Sequence, residues 1–402
     1  MTITNIPNGH VTMPKGFLAG ATSAGIKQRV GALDLCLLLS ERDATAVGVF
    51  TRNEVKGAPV VLSAEHVADG KLRAIVANSG NANALNGPDG SRDAKEMAQL
   101  AATQLGLAPT EVAVCSTGVT GVKLPIEKVR SFLPTIAVSA DGGPSLADAI
   151  MTTDTRPKSI AVSVNTGNGA YMVAGCAKGS GMIHPNMGTM FCFVTTDADV
   201  ELEFLRSLQR EVADETLNMV SVDGDTSCSD TFLVLANGAA GLPRIEAGTP
   251  DAEEFRQALL TVCTHLAREL ARDGEGARHL IEIAVTGAAT VQDARLIART
   301  VSTSPLVKTA IAGLDPNWGR ILVAAGRAGA PLEEARVSMR LQGELIYDRG
   351  KALPFDEAAM SKRLEEPEVR IGIDLGAGDA GATAWGCDLT ADYVHINADY
   401  RT

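Results

Sequence analysis

The 402-residue sequence predicts an α/β protein, with sheets layered against helices. Two observations carry that expectation. Short β-branched and apolar segments recur along the chain, separated by segments whose apolar residues return every three or four positions. Tight-turn signals lie between them, in keeping with 40 glycines and 4% aromatic residues. Hydrophobic residues at 45% and charged residues at 21% form an ordinary globular mix, so cores of Ala, Val and Leu are expected. The length allows one large domain or two to three smaller ones.

Each element has its own warrant. Asp34 to Leu39 and Thr45 to Thr51 read as strands, and Leu72 to Val76 as a third that enters a turn at Asn78-Ser-Gly-Asn81. Ser91 to Leu105 predicts a helix. Ser91 suits the N-cap, Met97, Leu100, Ala101 and Leu105 share a face, and Gly106 follows the end. Glu111 to Cys115 is a short strand feeding a turn, Ser116-Thr-Gly-Val-Thr-Gly121, and Pro144 to Met151 a short helix. Ser159 to Val164 alternates. Asn165-Thr-Gly-Asn-Gly169 then supplies a hairpin turn, so Ala170 to Ala174 should pair back.

Beyond position 189 a strand precedes a helix from about Leu202 to Leu217, striped by Leu202, Leu205, Leu208 and Val212. Thr231 to Ala236 reads as a buried strand. Asp251 to Arg272 is a long helix with Phe255, Leu259, Val262, Leu266 and Leu270 on one face, broken at Asp273-Gly-Glu-Gly276. His279 to Thr286, Val369 to Leu375 and Thr383 to Asp388 are further strands, and Ala289 to Val301 is helical. The Pro/Gly-rich stretch Asn237 to Pro250 reads as a surface connection rather than a domain boundary.

Composition also excludes. A net charge of −12 argues against nucleic acid and anionic membranes as partners. No run approaches 18 apolar residues and no cleavable signal pattern opens the chain, so a cytoplasmic protein is expected. The seven cysteines are scattered and odd in number, which suits small buried hydrophobes. Cys192 lies three residues past Thr189, on the opposite strand face, so it is assigned to packing. Six histidines show no ligand spacing, and Asp223-Gly-Asp225 lacks the remaining ligands of a calcium loop, so no metal site is expected.

One segment carries chemistry. Lys178-Gly-Ser-Gly-Met-Ile-His-Pro-Asn-Met-Gly-Thr-Met190 sets three glycines, a proline and a lysine before the apolar run Thr189-Met-Phe-Cys-Phe-Val-Thr195. A Gly-Thr bond in a tight loop can rearrange. The Thr189 hydroxyl attacks the Gly188 carbonyl, an ester forms, and hydrolysis frees a new N-terminal threonine. That residue brings a hydroxyl nucleophile and an amine base together. Free α-amines titrate near roughly 7.7–8.0, so no special tuning is needed at neutral pH.

The same segment resembles the hallmark block of the ornithine acetyltransferase family, also called glutamate N-acetyltransferases of arginine biosynthesis. Gly188 replaces the family's usual alanine. Further blocks follow in order: Ala24-Gly-Ile-Lys27, Thr51 to Val60, Asn78 to Ala84, Cys115 to Gly121, Met151 to Thr155, Ser221 to Thr226, Ser304 to Thr309, Asp315 to Arg320 and Ile396 to Thr402. The resemblance therefore runs end to end.

It implies a self-processed enzyme of the N-terminal threonine nucleophile type. A cut between Gly188 and Thr189 would give chains 1–188 and 189–402 that stay one folded unit, assembling as a heterotetramer of two α and two β chains. Thr189 would be the nucleophile, and Thr117 and Gly118 the oxyanion hole. Thr155, Lys178, Thr189, Glu275, Asn397 and Thr402 would contact the substrates, N-acetyl-ornithine and glutamate. No cofactor is implied, and acetyl-CoA enters as a second donor if the enzyme is bifunctional. Within an acidic chain, Lys178 is the candidate cation for a carboxylate, and Glu275 for an amine. The string 152–155 leaves the Thr155 position ambiguous by one or two residues. Ser227-Cys-Ser229 departs from the family's Ser-Thr-Asn, and Val119-Thr120 from Val-Ile. These departures leave open an acetyltransferase or amidohydrolase acting on a secondary-metabolite amine or amide. A non-catalytic amino-acid-binding protein is the alternative from another class.

Overall fold

A computed structural model of the chain describes residues 2–184 and 190–399. Among these, sixteen strands form two sheets. The larger runs in the order Thr2–Asn5, Lys158–Thr166, Gly169–Lys178, Phe191–Thr196, Thr231–Ala236, Leu35–Phe50, Lys71–Asn81 and Val112–Val119, with Phe17–Thr22 pairing beside the first half of Leu35–Phe50. The smaller runs Lys351–Ala352, Glu344–Asp348, Ser338–Leu341, Glu368–Asp374, Leu280–Ala288, Ala380–Cys387 and Val220–Ser221.

The helix Pro250–Arg272 joins the two sheets. It contacts Lys158–Thr166 and Gly169–Lys178 of the larger sheet, and Leu280–Ala288 and Ala380–Cys387 of the smaller. Its predicted face, Phe255, Leu259, Val262, Leu266 and Leu270, is fully buried, within a core that spans both sheets. That continuous core makes the architecture α/β with helices against sheets, as the periodicities predict. All seven cysteines are buried, and Cys192 belongs to this core.

Several boundaries differ from the sequence expectation, each for a physical reason. The two strands expected at 34–51 are one, Leu35–Phe50, whose pairing with Lys71–Asn81 shifts register between Leu39 and Ala44. The helix expected from Ser91 starts at Gly87, and Ser91 is not its cap. Asn86 holds that position, and Pro88 in the first turn supplies a helical φ without losing a bonded N–H. The turn expected at 116–121 is largely strand. Val112–Val119 pairs in parallel with Lys71–Asn81 through Ser79–Thr117 and Gly80–Gly118, so sheet pairing overrides the local Ser/Thr/Gly signal. The helices Ala58–His66, Ile126–Phe132, Pro305–Ala312, Glu357–Arg363 and Ala391–Asp399 had no assigned signal. Trp318, at the start of helix Trp318–Gly326, packs on Tyr347 at 5.4 Å between ring centroids and does not line the cavity described next.

Candidate active site

A cavity of about 1160 Å³ opens where ends of the larger sheet meet the loop after the long helix and the last helix. Thr117, Gly118, Lys178, Met190, Glu275 and Asn397 line it. Four separate stretches of chain therefore bring five of the expected site residues to one cavity. The expected Gly188, Thr189 and Thr402 lie outside the described residues.

Thr117 and Gly118 stand at the end of their strand. Gly118 has φ +125°, and a Cβ there would collide with the backbone of Gly80 and Asn81. Glycine is required by both conformation and closeness. Lys178 is the last residue of Gly169–Lys178, opposite Phe191. Its ammonium is buried and donates to Thr117 Oγ1 at 3.3 Å. Among the described residues this is its hydrogen-bond partner, which leaves further ammonium donors at the cavity wall. Because the threonine oxygen accepts from lysine, its own proton is available to a second acceptor.

Glu275 follows the helix end. Its N–H donates to the Ser180 carbonyl at 2.9 Å, and its Oε2 accepts from Asn397 Nδ2 at 2.7 Å. Gly181 faces it so closely that a Cβ would overlap the Glu275 carboxylate. The last helix is tied down by Thr390, whose hydroxyl donates to the Gly276 carbonyl at 2.7 Å. Asn397 thus reaches the site from a helix that leans on the Glu275 loop.

Thr155 does not line the cavity; Thr152, Thr153 and Asp154 do. The Thr155 hydroxyl and N–H both donate to the Asp273 carboxylate. A buried chain of charges runs inward from Asp154, which sequence reasoning did not find. Lys158 Nζ lies 2.7 Å from Asp154 Oδ1 and 2.6 Å from Asp273 Oδ2, with its side chain wholly buried. The available signal was a lysine opening an otherwise apolar alternating strand, a position that requires a buried partner. Burial alone would raise the Asp154 pKa. The adjacent Lys158 and Lys178 ammoniums and the Gly179 N–H outweigh it and hold the carboxyl down at about 2. Burial lowers the Lys178 pKa. Asp154 opposes that, Lys158 reinforces it, and Asp230 and Glu275 oppose it again.

Two more supports frame the mouth. Asp34 accepts from the N–H groups of Ala24, Ile26 and Lys27, which fixes the loop that places Lys27 on the wall. Asp223 accepts from the N–H groups of Met182 and Ile183, at 2.5 and 2.9 Å, and stabilises Met182 at φ +53°. Asp223 therefore serves the backbone, and no group of three His, Cys, Asp or Glu suited to a metal occurs among the described residues.

The arrangement offers a buried cation with spare donors, a hydroxyl donor beside a glycine, and an amide-tethered carboxylate. That set can hold an amino acid by both charges and stabilise an oxyanion.

The model of the ArgJ family matches residues 18–402. "Arginine biosynthesis bifunctional protein ArgJ" of Dehalococcoides mccartyi is 49% identical over 402 residues, covering 100% of this chain and 99% of that one. The protein of the same name from Symbiobacterium thermophilum is 51% identical over 397 residues, covering 98% and 99%. A crystal structure of arginine biosynthesis bifunctional protein argJ from Bacillus halodurans superposes with a TM-score of 0.52 at 41% identity, covering 53% of this chain and 100% of that chain. With the family model matched over residues 18–402 and relatives 49–51% identical along nearly the whole chain, this chain belongs to the ArgJ family.

Proposed function

We propose that this protein is an acetyltransferase of arginine biosynthesis that moves acetyl from N-acetyl-ornithine to glutamate through an acetyl-Thr189 intermediate. One observation carries the reading: Lys178, Thr117, Gly118, Glu275 and Asn397 share a cavity wall with Met190, the residue after Thr189. The Thr189 hydroxyl attacks the acetamide carbonyl, and its proton passes to the α-amine. Thr117 and Gly118 donate to the oxyanion. The C–N bond breaks and ornithine leaves with a proton. The glutamate amine then attacks the acetyl ester, giving N-acetyl-glutamate and free Thr189 by ping-pong kinetics.

The relatives are named bifunctional; if this enzyme is too, acetyl-CoA is its second acetyl donor. The reading calls on no other cofactor. Thr402 joins Lys178, Glu275 and Asn397 as a substrate contact, and Thr155 acts from behind the wall, through Asp273.

A cut at Gly188–Thr189 generates the nucleophile. In support, the solved argJ chain, matched over its full length, covers 53% of this one, the share that follows such a cut. The 1–188 and 189–402 chains then assemble in the cytoplasm as an α2β2 heterotetramer. Among the described residues, no helix is long and apolar enough to cross a membrane.

The test is product analysis at saturating glutamate. N-acetyl-glutamate should form in step with ornithine. Dominant release of acetate would make the protein a hydrolase and overturn the reading.

A further inference from the structure

A buried set of charges borders the cavity, with Asp154 and Lys178 on its lining. Lys158 pairs with both Asp154 and Asp273, and Lys178, acting on Asp154 by charge, makes two anions with two cations. Side-chain exposure is 0% for Lys158, 0% for Asp154 and 3% for Asp273. Charges this deep persist only when paired and hydrogen-bonded. Here the Asp154 carboxylate also binds backbone that shapes the site, and Asp273 reaches it through its own main-chain carbonyl. Asp154 Oδ1 accepts from Gly179 N at 2.7 Å, and its Oδ2 from Thr152 N at 2.9 Å. The Asp273 carbonyl accepts from Ser180 Oγ at 2.5 Å. Ser180 in turn accepts from Glu275 N.

We propose that Lys158 is a positioning residue of the substrate site: through Asp154 and Asp273 it fixes the Lys178 ammonium and the Glu275 carboxylate relative to each other. It touches no substrate. Its reach is geometric, because Gly179 and Ser180 follow Lys178 directly and Ser180 holds the Glu275 backbone. Its reach is also electrostatic. Without Lys158, Lys178 would answer alone to the Asp154 carboxylate, with Asp230, Glu275 and Lys27 as the other charges acting around it. This inference rests on the proposed acetyl transfer for its meaning, since Lys178 is there the carboxylate clamp.

The test reads Lys178 directly. In protein labelled with ¹³C at lysine Cε, the Lys178 signal is assigned by its loss in Lys178→Arg and titrated with pH. Lys158→Met removes a cation, so the Lys178 midpoint should rise. Asp154→Asn removes an anion while keeping the shape, so the midpoint should fall. Each shift should be on the order of one pH unit. In steady-state assays Lys158→Met should raise the glutamate KM more than it lowers kcat. A merely structural lysine would move both midpoints the same way or neither, and that result overturns the proposal. If Lys158→Met does not fold, Asp154→Asn decides alone: a midpoint that stays or rises overturns it. The titration needs no turnover. A parent enzyme that releases acetate but shows opposite shifts defeats the proposed transfer, not the positioning role.

Discussion

Thr117 is poised between two partners. Its oxygen accepts from Lys178, which leaves its own proton for the oxyanion of the proposed transfer. Thr117→Ala should therefore lower kcat on the order of 10²–10³-fold, with a smaller change in KM, because the donor acts mainly in the transition state. Steady-state kinetics on processed enzyme checks this, and unchanged kcat would leave Thr117 as a strand residue. Lys178→Met removes a charge-assisted hydrogen bond worth roughly 1.5–3 kcal/mol, so glutamate binding should weaken about 10- to 150-fold. Gly181 offers a subtler probe. An added methyl meets the Glu275 carboxylate, the end of a side chain tethered by Asn397. Gly181→Ala should raise KM while the melting temperature stays within a few degrees; a large melting loss with unchanged KM would contradict it. Of these residues the sequence displayed Lys178, Glu275 and Asn397 by family pattern alone. It hid their surroundings, since burial of a lysine beside a threonine 61 positions away is a product of sheet order.

Elements with a full amphipathic stripe were the readable ones. Leu202–Glu215, Thr231–Ala236 and Pro250–Arg272 lie within two residues of their expected bounds, because one face or all of each is buried. Val112–Val119 was read as strand then turn, since its last residues owe their conformation to a parallel neighbour and not to local preference. The short helix Ala391–Asp399 has no buried residue, and so no stripe to read.

The segment Gly181–His184 is held on Val220–Thr226 by similarly non-local bonds. Val222 N donates to the Ile183 carbonyl at 2.6 Å, and Thr226 Oγ1 to that of His184 at 2.7 Å. The His184 ring lies between Ser221 Oγ, at 3.1 Å, and Arg299 Nη2, at 2.8 Å. Burial and then the Arg299 guanidinium push its pKa down to about 4. An unfolded histidine takes its proton near roughly 6.5. The stability His184 contributes is thus fully present above pH 6.5 and lost as pH falls toward 4. Urea midpoints from pH 7 to 4 should drop less steeply in His184→Gln than in the parent. Parallel slopes would show that the ring does not titrate there.

At the scale of the molecule, the larger sheet alternates between the two halves of the chain. Phe191–Thr196 and Thr231–Ala236 lie side by side, with Gly169–Lys178 on one flank and Leu35–Phe50 on the other. A cut before Thr189 would leave two strands of the second chain enclosed by strands of the first. Denaturing mass spectrometry should show two chains with the second beginning at Thr189, and Thr189→Ala should yield one uncut chain without transfer. An active enzyme that stays at 41.8 kDa would refute the cut.

That interleaving has a consequence for mixed populations. Pulling the halves apart would break both flanking ladders and strand the Lys158–Asp273 pair, whose partners come from opposite sides of the cut. Two alleles expressed in one cell would therefore keep their halves matched. Each second chain would live out its existence with the first chain it was translated with, and a dominant-negative variant could act only between whole pairs, never by trading a half.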